Sequence, residues 1–129
     1  MTRVEIYTDG ACGFKHGGWG VVLIYKGHQK VLGGYLHKTS PNRAELIAAI
    51  KGLEALKRSC EVTVFSDSTY LVTGINNSRV KANLDLWQQI HELAAKHVVE
   101  WRYVKGHSGI YGNEAANSEA KRWMRRKGQ

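Results

Sequence analysis

Residues 4–8 alternate loosely between apolar and polar β-formers, which predicts a first strand. Gly10 is expected to end it, leaving Asp9 at its last position. Residues 12–18 then read as a glycine-rich loop, and residues 19–25 as a strongly apolar, β-branched second strand. A turn at Lys26-Gly27-His28-Gln29 leads into a third strand over residues 31–37, where Gly33-Gly34 suggests a bulge. Ser40-Pro41 supplies an N-cap and a first-turn proline. The helical recurrence of Leu46, Ala49, Ile50, Leu53 and Leu56 follows. Residues 61–66 predict a fourth strand closed by Asp67. Ser68-Thr69-Tyr70 opens a short helix reaching about residue 76, and residues 78–83 form a basic, polar connection. Leu86, Trp87, Ile90, Leu93 and Ala94 mark a further helix. Residues 98–104 form a half-buried last strand, Lys105-Gly106-His107-Ser108-Gly109 a loop, and residues 112–127 a terminal helix with Ala116, Ala120 and Trp123 inward. The order βββαβααβα predicts an α/β fold with a mixed five-stranded sheet and helices on both faces.

A length of 129 residues with 43% hydrophobic content fits one domain spanning residues 1–129. With no apolar run long enough to span a membrane and no leader-like start, the expectation is a soluble, cytoplasmic protein. Cys12 and Cys60 stand in different elements without zinc spacing and are expected to be reduced thiols. The net charge of +8 changes the picture more, because it favours a polyanionic partner, most simply nucleic acid. Lys121, Arg122, Arg125, Arg126 and Lys127 concentrate that charge at the C-terminus.

The acidic residues point to chemistry. Two strands that each finish in Asp, separated by a meander and a helix, suggest parallel neighbours whose carboxylates, Asp9 and Asp67, meet at one sheet edge. Each residue also has a plain structural reading. Asp9 could open an Asp-Gly turn, Glu45 could complement a helix dipole, and His107 could be a surface residue beside glycine.

Four segments tip the balance: Tyr7-Thr8-Asp9-Gly10-Ala11-Cys12, Asn42-Arg43-Ala44-Glu45-Leu46, Ser66-Asp67-Ser68-Thr69-Tyr70 and Val104-Lys105-Gly106-His107-Ser108-Gly109. With them the chain resembles type 1 ribonuclease H (RNase HI) over nearly its whole length. The resemblance implies an endonuclease cutting the RNA strand of RNA/DNA hybrids with two Mg²⁺ ions, with Mn²⁺ as a substitute. Such ions activate a water and stabilise charge on the leaving oxygen, and as hard cations they take oxygen ligands. The resemblance assigns metal binding to Asp9, Glu45, Asp67 and the position of Asn117, and proton shuttling or product release to His107. It assigns the RNA side to Asn42 and to backbone near Gly10 and Cys12, and a DNA phosphate to Ser40. It also implies a monomer.

Several positions depart from the family pattern. Asn117 stands where the family usually has Asp, so a dipole replaces a full charge at the fourth ligand. Thr69 stands where many relatives carry Gln, and Pro41 where many carry Asn. The loop after Cys12 is short, and the connection at residues 78–83 lacks the basic protrusion of many cellular members. Two functions of different kinds follow: a working hybrid-specific nuclease weakened at Asn117, or a catalytically impaired hybrid-binding module of the same fold. A third keeps the fold but changes the substrate, as in resolvases and transposases.

Overall fold

A computed structural model describes residues 1–77, 79–106 and 109–126. The elements follow the order read from the sequence: β1 (Thr2–Cys12), β2 (His16–Tyr25), β3 (His28–His37), α1 (Pro41–Glu54), β4 (Cys60–Ser66), α2 (Thr69–Gly74), α3 (Leu84–Ala94), β5 (Val98–Tyr103) and α4 (Tyr111–Met124). The strands form one sheet in the order β3-β2-β1-β4-β5. β1 runs antiparallel to β2 and parallel to β4, and β4 runs parallel to β5, so the sheet is mixed.

α1, α2 and α3 cover one face. Their apolar stripes join Leu46, Ile50, Leu71, Trp87 and Ile90 into a buried cluster, while Leu53 of α1 packs with Ile6, Val21, Val62 and Val64 of the strands. α1 begins as expected: the Ser40 hydroxyl accepts the Arg43 N–H at 3.3 Å and Pro41 fills the first turn. α4 covers the opposite face over β1, β2 and β3, with Ala116 and Ala120 buried.

Three expectations fail, all at glycines. β1 does not stop at Asp9, since Gly10, Ala11 and Cys12 continue in register against Trp19, Gly18 and Gly17. Residues 12–18 are therefore mostly strand, and only residues 13–15 turn, with Lys15 at φ 62°. No bulge occurs at Gly33-Gly34, because the β2–β3 register passes through Gly20↔Gly33 and Trp19↔Gly34 without a step.

The physical reason is close approach rather than bending. A Cβ on Gly20 would overlap the Ala116 carbonyl oxygen and lie 2.9 Å from the Ala120 nitrogen. One on Gly18 would lie 2.6 Å from the Met124 nitrogen, and one on Gly33 2.5 Å from a Glu119 carboxylate oxygen. Glycine lets α4 sit directly on the sheet. The β2–β3 turn at Lys26-Gly27, by contrast, needs positive φ at both residues, 49° and 78°.

Candidate active site

The β1–β4 ladder ends at Tyr7↔Phe65, whose rings stack with centroids 4.5 Å apart. Side chains alternate along a strand, so two residues further on, Asp9 and Asp67 project from that same face side by side. β4 has ended by then and β1 has not. Asp9 thus stands in the second half of a strand, bordered on one side by Gly20 of β2 and on the other by the open end of β4. Asp67 is held between two hydroxyl contacts: Ser66 Oγ accepts the Ser68 N–H at 3.0 Å, and Ser68 Oγ caps α2 by accepting the Leu71 N–H at 3.1 Å.

Glu45 arrives from the other layer. A Cβ on Gly10 would overlap the Ala44 carbonyl and lie 2.6 Å from the Glu45 nitrogen, so the missing side chain brings α1 against β1. The Gly10 N–H then donates to Glu45 Oε1 at 2.9 Å and to Asp9 Oδ1 at 3.1 Å. Gly10, expected to turn the chain, instead ties two carboxylates together.

Asp9, Glu45 and Asp67 each offer an oxygen within 4.8 Å of the other two. Asn117 of α4 closes the group from the fourth side, its Nδ2 donating to Asp9 Oδ2 at 2.6 Å. In this orientation the amide satisfies Asp9 with a proton. To place its carbonyl oxygen beside a cation the amide must turn over, a step that a carboxylate would not need.

Electrostatics matches the geometry. Asp9 is only 2% exposed. Burial pushes its carboxyl up to about 7, opposed by the Asn117 hydrogen bond and assisted by the Asp67 charge. Burial followed by the Asp9 and Asp67 charges pushes Glu45 up to about 9, against the pull of the Gly10 N–H. Without metal the cluster holds protons near neutrality. This oxygen-only donor set suits a hard divalent cation, whose binding would expel those protons.

A pH dependence follows. The folded chain retains protons that the unfolded chain gives up near pH 4, so their contribution to metal-free stability is fully present below about pH 4. It is lost as pH rises through about 7 for Asp9 and about 9 for Glu45. Urea midpoints measured in EDTA should therefore fall between pH 5 and pH 9, and added Mg²⁺ should restore stability mainly at the alkaline end. Midpoints flat across that range, with and without Mg²⁺, would contradict the proton-holding cluster.

The remaining described candidates flank the carboxylates along the chain. Cys12 ends β1, its thiol 3.7 Å from the Thr39 carbonyl oxygen. The Ser40 hydroxyl is occupied as the α1 cap, Asn42 is exposed in the first turn, and Thr69 is exposed at the start of α2. His107 lies outside the described residues. Sequence reasoning missed Gly106, where a Cβ would lie 2.8 Å from Asp67 Oδ2, and the glycine bed that lowers Asn117 onto Asp9. Glycines within apolar strand patterns were the available signal. A shallow trough of about 690 Å³ lies away from the carboxylates, among residues that include Arg3, Glu5, Glu61, Glu100 and Arg102. Two ion pairs there, Arg3–Glu61 and Arg102–Glu100, largely neutralise one another.

An acidic cluster at the end of a mixed sheet, with α4 pressed against its far face, is the architecture of a metal-dependent nuclease fold, and comparison with known proteins makes this specific. The RNase H family model matches residues 1–125. A ribonuclease H of Pseudomonas putida is 48% identical across 92% of this chain and 91% of its own length, and one of Nitrosococcus oceani is 45% identical with the same coverage. Among solved structures, LC9-RNase H1, a type 1 RNase H with the type 2 active-site motif, superposes with a TM-score of 0.80 at 28% identity, covering 93% of this chain and 71% of the other. The RNase H1 of Halobacterium salinarum shares the fold at a TM-score of 0.81 and 22% identity, covering 96% and 98%. The chain belongs to the ribonuclease H family, as a type 1 member, and is a hydrolase of the nuclease class.

Proposed function

We propose that the protein is an endonuclease that hydrolyses the RNA strand of RNA/DNA hybrids using Mg²⁺, with Mn²⁺ as a substitute. The observation that carries this reading is the convergence of Asp9, Glu45 and Asp67 within 4.8 Å, in a chain of this family. Asp9, Glu45, Asp67 and Asn117 would hold two ions, which when bound activate a water and stabilise charge on the leaving oxygen. One chain supplies all four groups, consistent with a monomer, and the cytoplasm is the proposed location.

The chain's own residues do the rest. Gly10 fixes the Asp9 and Glu45 carboxylates through one N–H. Backbone near Gly10 and Cys12 and the exposed Asn42 would meet the RNA strand, where donors and acceptors of this kind read the 2′-OH, and the exposed Thr69 would also contact the substrate. Ser40 meets a DNA phosphate, its hydroxyl oxygen held by the helix and its proton free to donate. His107 carries protons or assists product departure.

Asn117 favours a second reading, a hybrid-binding module with impaired catalysis. Hybrids labelled on either strand, incubated in Mg²⁺, Mn²⁺ or EDTA, separate the two. Metal-dependent RNA fragments with an intact DNA strand support the nuclease, and binding without cleavage supports the module. Equal cutting of duplex DNA would point to resolvase-like specificity instead.

A further inference from the structure

α4 runs alongside β1 past the carboxylates. Gly112 lies against Tyr7, Ala116 against Gly20 opposite Asp9, Ala120 against Gly18, and the Met124 sulfur would be 3.7 Å from a Cβ on Gly13. The helix end and the β1–β2 hairpin tip therefore form one lobe. Arg125 lies about 12 Å along the helix from Asn117 at 1.5 Å per residue.

The surface of this lobe is basic and partly preorganised. The Trp123 ring rests over Gly33, and its N–H donates to Glu119 Oε2 at 2.8 Å. The Arg126 guanidinium stacks 4.4 Å from the ring centroid and that of Arg122 5.2 Å. Glu119 pairs with Arg122 at 2.9 Å. Among the described residues, no carboxylate lies within ion-pair distance of Lys15, Lys121, Arg125 or Arg126. Beside them Phe14 is 85% exposed at the hairpin tip, with the Lys15 ammonium 5.8 Å from its ring. Stacking two guanidiniums on one indole reduces the rotamer freedom they would lose on meeting an anion, and Arg is well suited to phosphate.

We propose that the C-terminal end of α4, with the hairpin tip beside it, is a second nucleic-acid contact: Arg125 and Arg126 hold the phosphate backbone of the hybrid outside the cleavage site. This rests on the hybrid-cleaving function proposed above. The contact sets affinity and register without reading sequence, and it leaves the chemical step alone.

The test is the salt dependence of hybrid binding by the full chain, followed by fluorescence anisotropy of a labelled hybrid in EDTA between 50 and 200 mM KCl. Arg125→Gln/Arg126→Gln should reduce the slope of log K against log [KCl] by about 1.5 to 2, one unit per lost phosphate contact being near 0.9. Lys57→Gln/Arg58→Gln removes the same charge before β4, at the opposite end of that strand from Asp67, and should leave the slope as in the parent. At saturating hybrid in Mg²⁺, kcat should be unchanged while KM rises. Arg125→Gln alone, which leaves the Trp123 stack in place, should lower the slope by about half as much. Parent-like slopes in both Arg125 variants, or an equal fall in the Lys57/Arg58 control, would overturn the proposal while leaving the nuclease reading intact. A parent that fails to bind hybrid at all would overturn both.

Discussion

Asp9→Asn is expected to reduce cleavage of a hybrid by about 10³-fold or more while making the metal-free protein more stable at pH 8. Asp9 lies at the meeting point of the cluster, sharing the Gly10 N–H with Glu45 and receiving the Asn117 amide. An amide at this position keeps the volume and can still accept from Asn117, so the strand and α4 keep their packing. What it removes is a buried charge, whose carboxyl is held up to about 7 by burial and by Asp67. Each pKa unit corresponds to about 1.4 kcal/mol, so the rise from 3.8 to about 7 sets an upper bound of about 4 kcal/mol on the gain at pH 8, which vanishes near pH 4. Chemical unfolding in EDTA at the two pH values measures it. Loss of folding in the variant would show Asp9 to be structural.

Asn117→Asp is expected to move both properties the other way. The Asn117 Nδ2 lies 2.6 Å from an Asp9 oxygen, so a carboxylate there adds a like charge at hydrogen-bond distance from a buried acid. Without metal, Asp9 and Glu45 should be pushed further up and the alkaline side of the stability curve should fall. With Mg²⁺, the extra anionic ligand needs no amide reversal, so the apparent Mg²⁺ affinity and the cleavage rate should each rise by roughly tenfold. Cleavage against Mg²⁺ concentration, parent beside variant, reads both. Unchanged affinity and rate would place residue 117 outside the metal shell.

The element order and the pairing of Asp9 with Asp67 were legible because both rest on local rules. Strands have a period of two, and two β-runs that each carry an Asp toward their C-terminal side read as parallel neighbours, even though β1 continues past Asp9 to Cys12. The Ser40 cap and Pro41 likewise mark the start of α1 without reference to anything distant. The glycines were not legible in the same way. Gly10, Gly18 and Gly33 read as turn, loop or bulge residues by local preference and Gly20 as an ordinary strand position, yet each is required by a helix that arrives from far along the chain. A sequence pattern shows that a side chain is absent; which backbone fills its place is decided by tertiary packing. The amide orientation of Asn117 belongs to the same category, because it depends on Asp9, a partner brought close by folding.

Crystals soaked in Mn²⁺ and measured at the manganese absorption edge test the central claim most directly. The account predicts anomalous density bounded by Asp9, Glu45 and Asp67, with the Asn117 carbonyl oxygen turned toward it. Manganese bound elsewhere with none among these three carboxylates, at a concentration that supports cleavage, would contradict it.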